Sequence, residues 1–411
     1  MYMICIKMIN PRTLQKSVID SAKDFKIVLI TGARQVGKTT LLKNLAEAGR
    51  NYVSLDDPEE RRLANEEPKL FFQLHELPII IDEVQYAPKI FPYLKLLADN
   101  SDARGRIWLT GSQQFQMMRQ ITESLAGRVA VLDLMGLSHA EAVGNGKTQK
   151  PFIPKPNFKT SATPVSAPKI FEAVWRGSFP QIRLGSARSW RVFYESYLRT
   201  YIERDVRQLS QIGDELAFLR FLKVAAARTA QTLNYAELAR DADISPITAK
   251  KWISILCVSG ITYLLQPYYK NITKRLVKAP KLYFCDTGLC AFLCAWNSPE
   301  TLANGAMAGA IFETFVVMEI LKSHRHNGNE PQLFYVRDNN NLEIDLLIEQ
   351  NGTLFPVEIK KTGNPEPAMI QTFEKFRNTG IDNLGYGALV CMCDRPRPIT
   401  KTACAVPVWT I

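Results

Sequence analysis

The sequence predicts an α/β protein built in three parts. Three observations predict it. A glycine-rich motif at residues 32–40 lies between an apolar run and a helical pattern. A region at residues 232–286 reads as helix, short turn, helix, then two strands. A third stretch, around Asn351-Gly352, reads as a β-hairpin with acidic residues on one face.

The motif comes first in the chain. Gly32-Ala33-Arg34-Gln35-Val36-Gly37-Lys38-Thr39-Thr40 matches G-x-x-x-x-G-K-[ST]. Residues 27–30 read as the strand leading in. Residues 38–48 read as the helix leading out, stopped by Gly49. Such a loop suits a triphosphate, because its backbone N–H groups converge on oxygens and the helix adds a positive dipole end. Lys38 is placed for the β- and γ-phosphates, and Thr39 for a magnesium coordination position. Residues 52–55 read as a second strand. Residues 77–83, Leu-Pro-Ile-Ile-Ile-Asp-Glu, read as a buried strand ending in two carboxylates. Asp82 would hold the magnesium through its water shell, and Glu83 would polarise the attacking water. A further strand, 107–110, precedes Gly111-Ser112-Gln113; either Thr110 or Ser112 is the polar group for the γ-phosphate or the water. Arg128, just before the strand at 129–134, is a candidate for stabilising transition-state charge in its own subunit or a neighbour's. The alternative is an ordinary surface arginine.

These segments, with Val-Ser-Leu-Asp-Asp at 53–57, Ile-Asp-Glu-Val-Gln at 81–85, Leu-Thr-Gly-Ser at 109–112 and Ala-Gly-Arg-Val at 126–129, resemble the AAA-type ATPases of prokaryotes. In that group the ATPase is fused to a C-terminal domain of unknown function. The likeness continues through Gly177-Ser178-Phe179-Pro180 and residues 197–205. It departs at Gly136, where the group usually has proline. The resemblance implies a P-loop ATPase fold with a parallel sheet over residues 1–143, binding ATP and Mg2+.

Residues 144–169 carry Pro151, Pro154, Pro156, Pro164 and Pro168 among lysines and small polar residues, which predicts a mobile linker or long loop. Residues 170–300 form the second part. Residues 190–209 are helical by pattern, with Arg199, Arg204 and Arg207 along them. Ser245 is a helix N-cap with Pro246 in the first turn, and the helix runs to Val258. Strands at 261–265 and 276–284 follow, joined by a basic, aromatic loop containing Tyr268, Tyr269, Lys270, Lys274, Arg275 and Lys278. This is the plan of a winged helix. Trp252, Ile255 and Leu256 would face its core, and Thr248, Lys250, Lys251 and Ser254 include outward positions for DNA. Winged helices also serve as protein-contact modules.

The third part spans residues 301–411. A two-residue turn at Asn351-Gly352 opposes residues whose numbers sum to a constant. Ile344, Leu346 and Ile348 then share a buried face with Ile359, Val357 and Phe355. On the other face Asp345 stands across from Glu358, with Glu343 and Lys360 beside them. Facing carboxylates repel unless a cation lies between them, and an adjacent ammonium can activate water or steady a phosphate. The pattern resembles the PD-(D/E)xK nucleases, with Asp345 as the first acid and Glu358-Ile359-Lys360 as E-x-K. Ile344 stands where the proline of that name would be. The resemblance implies a restriction-endonuclease-like fold in which Glu313, on an apolar helix at 310–322, completes the metal set of Asp345 and Glu358. The alternative is a cross-strand ion pair of Glu343 with Lys360.

Composition bounds the partners. No apolar run approaches the length of a membrane helix, and residues 1–10 lack a signal-peptide layout, so a cytoplasmic protein is expected. The eight cysteines form no C-x-x-C pair. Of the net charge of +11, the excess sits in residues 151–300, where 21 basic side chains face 11 acidic ones. That part should meet a polyanion. Together these readings predict an ATPase acting on DNA, with ATP controlling a magnesium-dependent nuclease-like domain and a homo-oligomer as one possible assembly. The alternative is an ATP-switched binding or signalling protein with no nuclease activity.

Overall fold

The computed structural model describes residues 10–111, 124–158, 160, 163–201, 214–269, 278–338, 342–381 and 383–411. Ser112, Arg204, Arg207, Lys270, Lys274 and Arg275 lie outside them.

The first sheet holds β1 (Ile27–Thr31), β2 (Asn51–Ser54), β3 (Ile79–Asp82), β4 (Ile107–Thr110) and β5 (Val129–Asp133), in the order β2-β3-β4-β1-β5. Every pairing is parallel. Parallel strands covered on both faces read as continuous apolar runs. Ile27 and Leu29 of β1 pack into one core with Ile79, Ile81 and Phe71, while Val28 and Ile30 pack into another with Ile80 and Trp108. Ile27 aligns with both Ile107 and Val129. The carboxyl ends Thr31, Asp82, Thr110 and Asp133 therefore share one edge, and the glycine-rich loop leaves from that edge. Gly32 is required there. Its φ is +146°, and a Cβ would stand 2.1 Å from the Leu134 carbonyl oxygen.

The second sheet has nine strands: β6 (Gln231–Thr232), β7 (Thr262–Pro267), β8 (Lys281–Phe284), β9 (Gln332–Arg337), β10 (Glu343–Gln350), β11 (Thr353–Ile359), β12 (Gly387–Cys391), β13 (Arg397–Thr400) and β14 (Ala403–Pro407). Their order is β13-β14-β12-β11-β10-β9-β7-β8-β6. The helices Tyr235–Ala242 and Pro246–Val258 precede β7 and β8, which pair antiparallel. The Ser245 side chain accepts from Thr248 N–H at 3.1 Å, so the cap lies where the sequence puts it. The expected division at residue 300 is crossed by hydrogen bonds, because β7 pairs in parallel with β9 at Gln266–Phe334 and Pro267–Tyr335.

Residues 144–158 are not a free tether. Phe152 is buried, its N–H donates to Ser323 Oγ at 3.0 Å, and its carbonyl meets His324 Nε2 at 3.0 Å. Apolar side chains set among the prolines pin the segment to the helix Ala308–Arg325, hereafter the long helix.

The hairpin register from Leu346–Val357 to Gln350–Thr353 follows the two-residue turn, with Asn351 and Gly352 at φ +52° and +76°. One expectation fails. On its other side β10 has an irregularity against β9 between Ile344 and Leu347. Ile344 therefore packs with Leu347, Phe373 and Phe376, not with Leu346 and Ile348. An extra residue in one strand shifts the alternation of faces.

Candidate functional site

Two sites emerge, one on each sheet. At the first, Gly37 takes φ +98° and Gln35 +62°, which curls the loop ahead of the helix Lys38–Leu45. Lys38 Nζ donates to the carbonyls of Gly32 at 3.0 Å and Ala33 at 2.9 Å. It is buried, and burial depresses its pKa. Asp82 collects hydroxyls. Thr39 Oγ1 lies 2.8 and 3.0 Å from its two oxygens, Tyr52 OH donates at 2.9 Å, and Thr110 Oγ1 also donates. Burial, then Asp82, pushes the Tyr52 phenol up to about 12. Glu83 takes φ +58°; its N–H donates to Thr110 Oγ1 at 3.1 Å and its carboxylate accepts from Gln85. Thr110 is thus the hydroxyl brought between Asp82 and Glu83. Arg34 reaches Tyr86 OH at 3.3 Å, and Val36 is buried.

Beyond Gly37 and Thr40, a cavity of about 620 Å3 opens between the loop helix and Pro180. Arg12 and Arg183 also line it. Arg12 donates to the carbonyls of Val36 and Met135, both at 2.8 Å, and pairs with Glu141 at 3.1 Å. Arg183 donates to His139 Nδ1 at 2.9 Å. Sequence reasoning missed Tyr52, Arg12 and Arg183. Arg12 and Arg183 meet the loop or its cavity, and Tyr52 meets Asp82, from distant segments, which no local string reveals.

Arg128 needs correction as a group acting in its own subunit. It precedes β5, and its carbonyl accepts from Ile27 N–H at the start of β1. That is the opposite edge of the sheet from the loop, about 16 Å away for strands of this length. Its guanidinium pairs with Asp99 at 2.5 Å. Contact with a nucleotide would have to come from a neighbouring copy.

At the second site, Asp345 and Glu358 are buried. Asp345 Oδ2 accepts from Ile359 N–H at 2.8 Å, which ties the two strands where the regular pairing stops. Lys360 Nζ lies 2.6 Å from Glu358 and 3.9 Å from Asp345. Glu313, on the long helix, accepts from Tyr283 OH at 2.6 Å. Lys281 Nζ is 3.4 Å from Glu313 and 3.0 Å from Glu343. Burial, then the charge of Asp345, raises Glu313 to about 7 and Glu358 to about 8. Glu343 therefore pairs with Lys281 and not with Lys360. Lys281 and Tyr283 carry no sequence signal for this site, since they come from β8.

A divalent cation fits this donor set in kind. Magnesium takes oxygen ligands, and Glu358 Oε2 is a buried atom with no hydrogen-bond partner. In position it fits less closely: among the described residues, no three His, Cys, Asp or Glu groups converge as a metal site.

Comparison with known proteins assigns the parts unevenly. Residues 24–143 match the AAA domain, residues 167–300 a domain of unknown function (DUF8612) and residues 308–411 another (DUF4143). Taken with the loop geometry, the first match defines an AAA-type P-loop ATPase domain. The uncharacterized proteins Mb2031c of Mycobacterium bovis and Rv2008c of Mycobacterium tuberculosis are each 29% identical over 387 residues, covering 93% of this chain and 80% of theirs. Among solved structures, the Walker-type ATPase PABY2304 of Pyrococcus abyssi is similar over 70% of this chain and 96% of its own, at 16% identity and a TM-score of 0.45. No helix among the described residues is long and apolar enough to cross a membrane.

Proposed function

We propose that this protein hydrolyses ATP and uses its nucleotide state to control a DNA-directed, nuclease-like site. In the first site, Lys38 leaves the Gly32 and Ala33 carbonyls for the phosphates. Thr39 and Asp82 would hold Mg2+, which supplies charge neutralisation at the phosphates. Glu83, fixed through Thr110, orients the attacking water.

The observation that carries the control is the long helix, which bears on both sites. Glu313, near its start, belongs to the acidic site. Further on, Glu319 Oε2 accepts from His139 N–H at 2.6 Å, and Lys322 Nζ donates to the Leu137 carbonyl at 3.2 Å. Arg325 pairs at 3.0 Å with Asp133, the β5 residue aligned with Thr31 at the P-loop edge. Just past its end, His326 accepts from Met135 N–H at 3.3 Å through Nε2, and its Nδ1 lies 3.3 Å from Glu141, the partner of Arg12.

A winged-helix contact with DNA is supported by the helix Pro246–Val258. Lys250, Lys251 and Ser254 are exposed on it, Thr248 is half-buried, and Trp252, Ile255 and Leu256 face inward. The non-cleaving alternative draws on one observation: ammonium groups already pair with the acids of the second site.

The test is incubation of plasmid DNA with wild type, Asp345→Asn and Lys38→Ala, with magnesium and ATP. Cleavage is expected from wild type alone. Nucleotide-dependent DNA binding without cleavage would favour the alternative. ATP turnover by Lys38→Ala at the wild-type rate would refute the hydrolytic site.

A further inference from the structure

We propose that Lys281 is a resident counter-ion of the acidic site, lent by β8, and that it competes with a divalent cation for Glu313. The inference rests on reading Glu313, Asp345 and Glu358 as a cation site.

Lys281 is 3% exposed. Lysine is almost never buried without anionic partners. Here its ammonium lies 3.0 Å from Glu343 and 3.4 Å from Glu313. Tyr283, two residues along the same strand and so on the same face, donates to the same Glu313 oxygen. Together they hold Glu313 by that oxygen, while Lys360 occupies Glu358. This accounts for the failure of three acids to converge in a donor set that otherwise suits a divalent ion.

The two lysines differ in freedom. The Lys360 side chain is 43% exposed and can swing to solvent or to a phosphate. Lys281 is enclosed and cannot reach a substrate, so its action is on the carboxylates. It belongs to the β7–β8 pair that follows the helix Pro246–Val258. Its charge therefore reaches Glu313 from a strand other than the one that carries E-x-K. Lys281 is thus a positioning residue, set by the middle of the chain beside the acidic site.

The probe is Mn2+, titrated into full-length protein without nucleotide and followed by electron paramagnetic resonance and by thermal melting. Lys281→Met keeps the aliphatic stem and removes the charge. It should bind Mn2+ at least about tenfold more tightly than wild type, because an ammonium a few ångströms away repels the ion. It should also melt lower without Mn2+ and regain more on adding it, since the acids lose a buried partner. Lys281→Arg should restore wild-type affinity. Tyr283→Phe, a milder change, should strengthen binding by about threefold.

Tighter binding in Lys281→Met that disappears in Lys281→Met/Asp345→Asn supports the proposal. Equal or weaker binding in both Lys281→Met and Tyr283→Phe overturns it, provided Asp345→Asn alone weakens the ion. Mn2+ binding indifferent to Asp345→Asn in every background overturns the cation site itself, and the role of Lys281 with it.

Discussion

Asp82 meets three hydroxyls, from Thr39, Tyr52 and Thr110, so the end of β3 is pinned before any nucleotide arrives. Catalysis gains from such preorganisation because no dipoles need to reorient at the moment of reaction. His139 shows another use of burial at the scale of single residues. Burial, then the Arg183 guanidinium, lowers its pKa to about 4. The imidazole is therefore neutral at pH 7 and accepts from Arg183 through Nδ1. The sign of the linkage is set by that depression. Between the unfolded value near 6.5 and the folded value near 4, the unfolded chain binds the proton more readily. Stability should thus fall as pH drops through that window, by up to about 3 kcal/mol. Urea unfolding at pH 7 and pH 4.5 checks this, and His139→Asn should flatten the slope. An unchanged slope in the variant would assign the acid sensitivity to other groups.

At the scale of elements, the hairpin and the P-loop were legible because each is written in a few adjacent residues. Asn351 and Gly352 both need positive φ, and the turn then fixes the register of β10 on β11. Gly352→Val should cost about 1–2 kcal/mol in denaturant unfolding, from a β-branched residue forced into the left-handed region. A loss below a few tenths would mean that the turn does not set the register. The irregularity in β10 was not legible, because it arises against β9, and the sequence of β10 alone does not name its second neighbour. Whether Arg128 could act in its own subunit was not legible for a related reason. The string places it before a strand, and only the parallel pairing of β5 with β1 tells which edge that is. Lys281 and Tyr283 stayed hidden because β8 reaches the acids through β7 and β9, a path made by tertiary pairing.

At the scale of the whole molecule, the long helix joins what the sequence separates. Glu313 on it serves one site, while Arg325 pairs with Asp133 beside the other. Arg325→Met should leave ADP affinity within about threefold of wild type, because the residue sits off the P-loop itself. It should also uncouple the acidic site from nucleotide. The measurement that bears most directly on this is hydrogen–deuterium exchange across residues 308–325 and 343–360, with ADP and with a non-hydrolysable ATP analogue, in wild type, Lys38→Ala and Arg325→Met. The expected result is protection that differs between the two nucleotides in wild type and is lost in both variants. Identical exchange in both nucleotide states of the wild-type protein, with binding of each verified, would contradict the coupling.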